Sequence, residues 1–290
     1  MIHPADLRAR AEDLAGPLPP LLAAAEHLAA TVLLGRHGRR RPGIGDEFWQ
    51  YRPATPGDES RQVDWRRSAR SDSHFVREKE WQAAQSVVLW VDPSQSMDFA
   101  STDKLPTKSL TARTLALAVA ILLVRGGERV GMADHSLPPR SGELQLLRLA
   151  DTLSSMEDLR EYGAPETRGL LSHSRAVFVS DFLGDITPVT TALTKAADRG
   201  VRGVLLQVLD PAEEAFPYDG RTIFESVGGT IQFESQKARD LKDRYLDRLA
   251  ERKAELQSLS RLTGWQTHVH HTDRSASSAL LWLFTALELH

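Results

Sequence analysis

The sequence predicts an α/β fold with a mostly parallel sheet and helices on both faces, and three observations lead there. From Ser86 onward, short apolar runs alternate with amphipathic helical segments. The runs at 87–91, 176–179 and 204–209 are continuous in Val, Leu and Phe, as expected of parallel strands covered on both sides. Three such runs end in an aspartate, namely Asp92, Asp181 and Asp210. Ligands of open α/β sheets bind outside the carboxyl ends of the strands, so these positions are candidates for a site.

Residues 5–34 read as one or two Ala/Leu-rich helices split near Pro17, Pro19 and Pro20, followed by a basic, Gly-rich linker over 35–45. The stretch 47–80 carries turn signals at Pro53 and Pro56-Gly57-Asp58 and a strand signal at His74–Arg77, which predicts a small irregular β module. The regular part then runs strand 86–91, helix 108–125, strand 128–133, helix 143–156, strand 175–180, helix 187–199 and strand 203–209. A two-stranded excursion at 221–233 precedes a long amphipathic helix over 236–262, strand 265–271 and helix 275–288. The helix around 114–124 is apolar nearly all round and stops at Gly126-Gly127, which predicts burial against the sheet and a glycine terminus. These patterns divide the chain into 1–83 (helical arm, linker and module) and 84–290 (the α/β domain).

The chain has 290 residues, 41% of them hydrophobic and 26% charged, which is ordinary globular composition. A net charge of -3 offers no global basic field for nucleic acid or anionic lipid. The absence of cysteine excludes disulfides, thiol catalysis and Cys-ligated zinc. Leu18–Gly35 is apolar, but Glu26 and His27 interrupt it and basic residues follow it, the reverse of a secretory signal. The apolar stretch 279–287 is too short to span a bilayer. The expectation is a soluble, cytoplasmic protein without a membrane span.

Asp92-Pro93-Ser94-Gln95-Ser96 places a carboxylate and two hydroxyls at a strand exit. That donor set suits a hard cation such as Mg²⁺ or Mn²⁺, and few charged ligands leave positions open for another group. Asp and Ser also form turns and caps, and on five residues alone the two readings stand level. Mutual repulsion among strand-end carboxylates makes a bound cation or a nearby Arg a natural counter-charge, and for Asp92 with Asp181 the metal is the favoured reading. For Asp210 and Asp273 a helix cap or turn is the better reading, and Asp210, Glu213 and Glu214 read as an acidic helix start. His268, His270 and His271 lack a clear third zinc ligand and read as core or edge histidines. Arg36, Arg39, Arg40 and Arg41 read as a solvated linker or a surface for an acidic protein.

The string Arg52-x-x-x-Pro56-Gly57-Asp58-x-x-Arg61-x-x-Asp64-Trp65-x-x-Ser68-Ala69-Arg70, then Val76-Arg77-Glu78, then Asp92-x-Ser94-x-Ser96-Met97, resembles the signature of a bacterial domain-of-unknown-function family, number fifty-eight in its series. Arg129-Val130-Gly131, Ser180-Asp181-Phe182 and the stretch from Asp210 to Asp273 extend the resemblance over nearly the whole chain. It implies a von Willebrand factor A-like (Rossmann-like) core with a metal-ion-dependent adhesion site formed by Asp92, Ser94, Ser96 and Asp181. It also implies a MoxR-type AAA+ ATPase as partner. Two positions depart from the pattern: Ala54 stands where the family has Tyr, and no clear Thr occupies the loop 134–142, where Ser136 or Ser141 is the substitute.

Two function classes follow. One is a non-catalytic adaptor whose metal is completed by an acidic side chain of a protein partner. The other is a Mg²⁺-dependent phosphohydrolase or phosphoacceptor with Asp92 as nucleophile. Aspartate-nucleophile phosphatases need a second carboxylate two residues on as general acid, and Ser94 stands there, which favours the adaptor. No Ser-His-Asp order, Walker loop or dinucleotide fingerprint is present. Arg52, Gly57, Asp58, Arg61, Asp64, Trp65 and Arg70 read as structural, with the charges paired among themselves and Trp65 packing the module onto the core.

Overall fold

A computed structural model describes residues 20–32, 40–43, 47–55, 58, 63–69, 73–82, 84–134, 136–225 and 232–288. These residues divide into two compact units, one drawn from Met1–Gly35 and Ser86–His290, the other from Arg36–Gln85. The first helix, α1 (Pro20–Ala30), therefore belongs with the α/β unit and not with the module the sequence grouped it with. The reason is hydrophobic: Leu22, Ala25 and Ala29 are buried in one cluster with Leu115, Leu149 and Leu280. Thr31 and Val32 turn off its end, and the rest of the predicted 5–34 helical stretch lies outside the described residues.

In the α/β unit, strands β4 (Ser86–Val91), β5 (Arg129–Met132), β6 (Arg175–Ser180), β7 (Arg202–Leu209) and β10 (Gln266–His271) form a five-stranded sheet in the order β10-β7-β6-β4-β5. Every pairing is parallel. Val87, Leu89, Val91, Val177, Val179, Val204, Leu206 and Val208 point into one core, while Val88, Trp90, Ala176, Phe178 and Leu205 point into the other. Two buried faces explain why the strands read as unbroken apolar runs. The expected von Willebrand factor A-like arrangement holds.

Helices α3 (Lys108–Arg125), α4 (Glu143–Ser155) and α8 (Ala276–Glu288) join α1 on the first face; α5 (Ile186–Asp198) and α7 (Arg239–Thr263) cover the second. α3 lies between the sheet and three helices, so its all-round apolar sequence is buried on every side. Thr107 caps its start by accepting the Leu110 N–H at 3.1 Å. Gly127, at φ 87°, ends it in a conformation that costs glycine little. Phe178 packs against Trp90 and Trp265, with centroids 5.7 and 4.9 Å away. A short helix α6 (Pro211–Ala215) and the hairpin β8 (Thr222–Glu225) with β9 (Gln232–Ser235) complete this unit. No helix among the described residues is long and apolar enough to cross a membrane.

The second unit is a three-stranded antiparallel sheet, order β1-β3-β2, built from β1 (Arg40–Gly43), β2 (Glu47–Pro53) and β3 (Phe75–Gln82), with a one-turn helix α2 (Trp65–Ser68). Sequence reading placed a linker over β1 and recognised only the start of β3. A Gly/Pro-containing strand and a register shift between Phe48 and Gln50 hide the alternation. Asp64 caps α2 by accepting the Arg67 N–H and also accepts the Tyr51 hydroxyl at 2.9 Å. The Arg67 guanidinium lies 4.4 Å from the centre of the Tyr51 ring. Asp58 closes a turn by accepting from the Thr55 N–H and hydroxyl. Gly57, Arg61 and Arg70 lie outside the described residues, and Arg52 is described only as part of β2.

Trp65, expected to be a buried anchor, is 57% exposed and meets His74 edge-on. Its removal should therefore cost about 1 kcal/mol, the scale of an aromatic pair. Asp64→Ala should cost about 1–2 kcal/mol, since a cap and the Tyr51 bond go together. Chemical denaturation of the two variants tests the ranking, and the reverse order would restore Trp65 as the anchor.

Candidate functional site

The strand order reverses direction between β4 and β6, and their carboxyl ends carry Asp92 and Asp181. The ladder continues one step beyond the strands, with the Asp92 N–H donating to the Val179 carbonyl at 2.9 Å. Asp92, Ser94, Ser96, Ser180 and Asp181 are each 3% exposed or less. Asp92 Oδ1 accepts the Ser94 N–H at 2.9 Å, and Oδ2 accepts the Ser180 hydroxyl at 2.6 Å. The Ser94 and Ser96 hydroxyl oxygens stand 3.3 Å apart. The first three predicted site residues thus form one buried oxygen cluster.

Asp181 stands beside that cluster but faces a cation that sequence reading missed. Lys108, in the first turn of α3 and 1% exposed, donates from Nζ to Asp181 Oδ2 at 2.9 Å and to Glu213 Oε1 at 2.6 Å. A lysine leading an apolar helix reads as solvated, and only the fold shows that it points under the sheet edge. Asp181 Oδ1 accepts the Leu183 N–H at 3.1 Å. The turn after it is fixed by Gln207, which donates to the Asp181 carbonyl at 2.8 Å, and by Arg252, which donates to the Phe182 carbonyl at 3.1 Å. Phe182 itself sits at φ 51°, a left-handed backbone uncommon for a bulky residue and often found at functional turns.

Glu213 was read as part of an acidic helix start. It does cap α6, accepting the Asp210 N–H at 2.8 Å, and it also reaches the site through Lys108. Asp210 acts as the expected helix cap, accepting the Ala212 N–H at 2.8 Å, and ties down the Ser101 N–H at 2.9 Å. Ser136 is exposed and donates to Asp134, and Ser141 is exposed, so neither shares the burial of the Asp92 cluster. Among the histidines, His268 stacks on Trp282, His270 is buried and pushed down to about 4 by burial, and His271 pairs with Glu214.

A connecting segment closes over Asp92. The Gln95 N–H donates to the Arg160 carbonyl at 3.1 Å and the Ser96 N–H to the Glu161 carbonyl at 3.0 Å. A Cβ added at Gly163 would fall 2.1 Å from Asp92 Oδ1, so the backbone there lies directly on the carboxylate. Tyr162, 40% exposed, forms the outer rim over Gly184.

Burial raises the pKa of Asp92, and the Asp181 charge adds to that against the Ser180 and Ser94 hydrogen bonds. Burial likewise raises Glu213 against the pull of Lys108. For Lys108 burial works against the charge, but Asp181 and Glu213 together outweigh it and keep the ammonium protonated. With all groups ionised, Asp92, Asp181 and Glu213 set three negative charges around the Lys108 ammonium, and the Arg160 guanidinium also feels Asp92. No group of three or more His, Asp or Glu side chains among the described residues is placed to hold a metal by itself. The set Asp92, Ser94 and Ser96, counting hydroxyls, nevertheless fits a hard divalent cation in chemistry and in charge.

Two outcomes follow from this packing. Gly163→Ala should push the segment off Asp92 and speed amide exchange at Gln95 and Ser96 by about tenfold or more, whereas unchanged protection would mean the close approach is not what closes the site. In EDTA, the stability of Asp92→Asn relative to wild type should shift in the variant's favour as pH rises above the ordinary 3.8 through the raised Asp92 value, then level off. The sign follows because a buried acid with a raised pKa contributes its stability below the unfolded value and loses it as it ionises. Melting curves across pH check it.

The family model described as "Protein of unknown function DUF58" matches residues 50–255. Uncharacterized proteins of Mycobacterium tuberculosis and Mycobacterium bovis are 27% identical over 94% of this chain and 90% of theirs. Among solved structures, the conserved hypothetical protein BatB from Bacteroides thetaiotaomicron is 14% identical, with 70% of this chain and 98% of that chain covered and a TM-score of 0.41. An aerotolerance-related membrane protein from Bacteroides fragilis shows the same identity and coverage with a TM-score of 0.40. With the family model spanning well over half of its length, this chain belongs to the DUF58 family.

Proposed function

We propose that this protein is a non-catalytic interaction adaptor that docks an acidic side chain of a protein partner at the Asp92 cluster. The observation that carries the reading is the buried, all-oxygen set at the strand-order reversal. The metal-ion-dependent adhesion-type site would consist of Asp92, Ser94 and Ser96, with Asp181 behind them. A divalent cation bound there would supply a positive centre able to accept a carboxylate oxygen. The partner proposed is a MoxR-type AAA+ ATPase, as the family resemblance implies.

The chain's own residues support binding over turnover. Each Asp92 oxygen accepts one hydrogen bond, which fixes the carboxylate and leaves one lone-pair site on each oxygen for a cation. Ser94 stands where a general acid would be required, and a hydroxyl cannot serve near neutral pH. Because the Arg160–Gly163 backbone covers Asp92, docking requires that segment to turn aside. The two backbone bonds to Gln95 and Ser96 hold it in place.

The test is a pull-down against the candidate ATPase in Mg²⁺ and in EDTA, with wild type, Asp92→Ala and Ser94→Ala, beside a phosphatase assay on a generic phosphate ester. The expected result is Mg²⁺-dependent association lost in EDTA and in both variants, with no ester turnover. Metal-independent association would sink the docking mechanism. Asp92-dependent turnover would establish the phosphohydrolase reading instead.

A further inference from the structure

We infer that Lys108 is a tethered competitor of the divalent ion, setting how tightly the Asp92 site holds it. The inference rests on the metal-site reading above. Lys108 Nζ binds Asp181 and Glu213 at 2.9 and 2.6 Å, and its side chain is 1% exposed, so solvent and salt screen its charge little. The stem cannot swing freely, because it leaves the first turn of a helix capped by Thr107 and packed on three sides.

The two cations share one neighbourhood. Ser180 donates directly to Asp92 Oδ2, and the next residue in sequence, Asp181, is the one that Lys108 holds. While Lys108 holds Asp181, that carboxylate is withheld from the ion and the ammonium repels it. By linkage, each cation weakens the other's hold. The consequence is an ion bound weakly and left short of negative ligands, which preserves its attraction for an incoming carboxylate. Lys108 is in this sense a positioning residue, acting on the ion through Asp181.

The experiment is a calorimetric titration with MnCl₂ of wild type, Lys108→Gln, Glu213→Gln and Asp92→Ala, each checked for folding by circular dichroism. Lys108→Gln should bind Mn²⁺ about tenfold more tightly, and Glu213→Gln several-fold more weakly, because Lys108 then turns wholly to Asp181. Both variants break the same ion pair, so a merely structural role would move them in the same direction. Opposite signs support the inference, and a loss of affinity in both overturns it. Should Lys108→Gln fail to fold, unchanged or tighter binding by Glu213→Gln overturns it alone. Equal or absent binding in all four proteins removes the metal site and the inference together. Binding by wild type but not Asp92→Ala, with no tightening in Lys108→Gln, leaves the site and removes only the inference.

Discussion

A single buried ammonium makes the carboxyl edge of this sheet possible. Asp181 and Glu213 come from the ends of neighbouring strand-to-helix connections, and Lys108 joins them from the start of the central helix. Removing either carboxylate's partner would leave a buried charge without compensation, a situation far costlier than the pair itself is stabilising. Around that cross-link the turn at Phe182 is fixed by Gln207 and Arg252, and α6 is fixed by its own capping box. The position of Asp92 follows from the same geometry, because Ser180 at the end of β6 supplies its hydrogen bond.

The cluster is compact because every oxygen has an assigned neighbour, and the result is a closed site. Gly163 has no side chain, and that absence lets the covering backbone lie against the Asp92 carboxylate. Glu213 and Tyr162 form the part that solvent reaches. On the proposed reading, the Asp92 oxygens would become available to an ion only when the covering segment yields, which would couple recognition to a local opening of the fold. The energy needed is modest if it amounts to two backbone hydrogen bonds, each worth about 1 kcal/mol net.

The antiparallel module obeys a different logic. Among its described residues, polar and aromatic contacts gather around Tyr51, Asp64 and Arg67. Trp65 drew attention in the sequence because tryptophan is large and sits between charges, yet exposure shows that its neighbours do the anchoring. Residue type alone ranked this candidate poorly, since a large apolar side chain can stand at the surface as well as in a core.

The sequence by itself determined the α/β alternation, the strands and helices from Ser86 onward to within a few residues, and the Asp92-x-Ser94-x-Ser96 cluster. Those features are local: an apolar run of strand length, a 3.6-residue period or a capping residue needs no knowledge of distant parts of the chain. Tertiary structure alone decided that Lys108 lies under the sheet edge, that Glu213 serves the site as well as its helix, and that α1 joins the main core. Lys108 and Asp181 are separated by 73 positions and Lys108 and Glu213 by 105. Charge pairing over such distances leaves no periodic trace, because any lysine and any carboxylate satisfy the chemistry and only the strand order brings these three together. The same holds for the glycine against Asp92, whose significance is a matter of which backbone passes within reach.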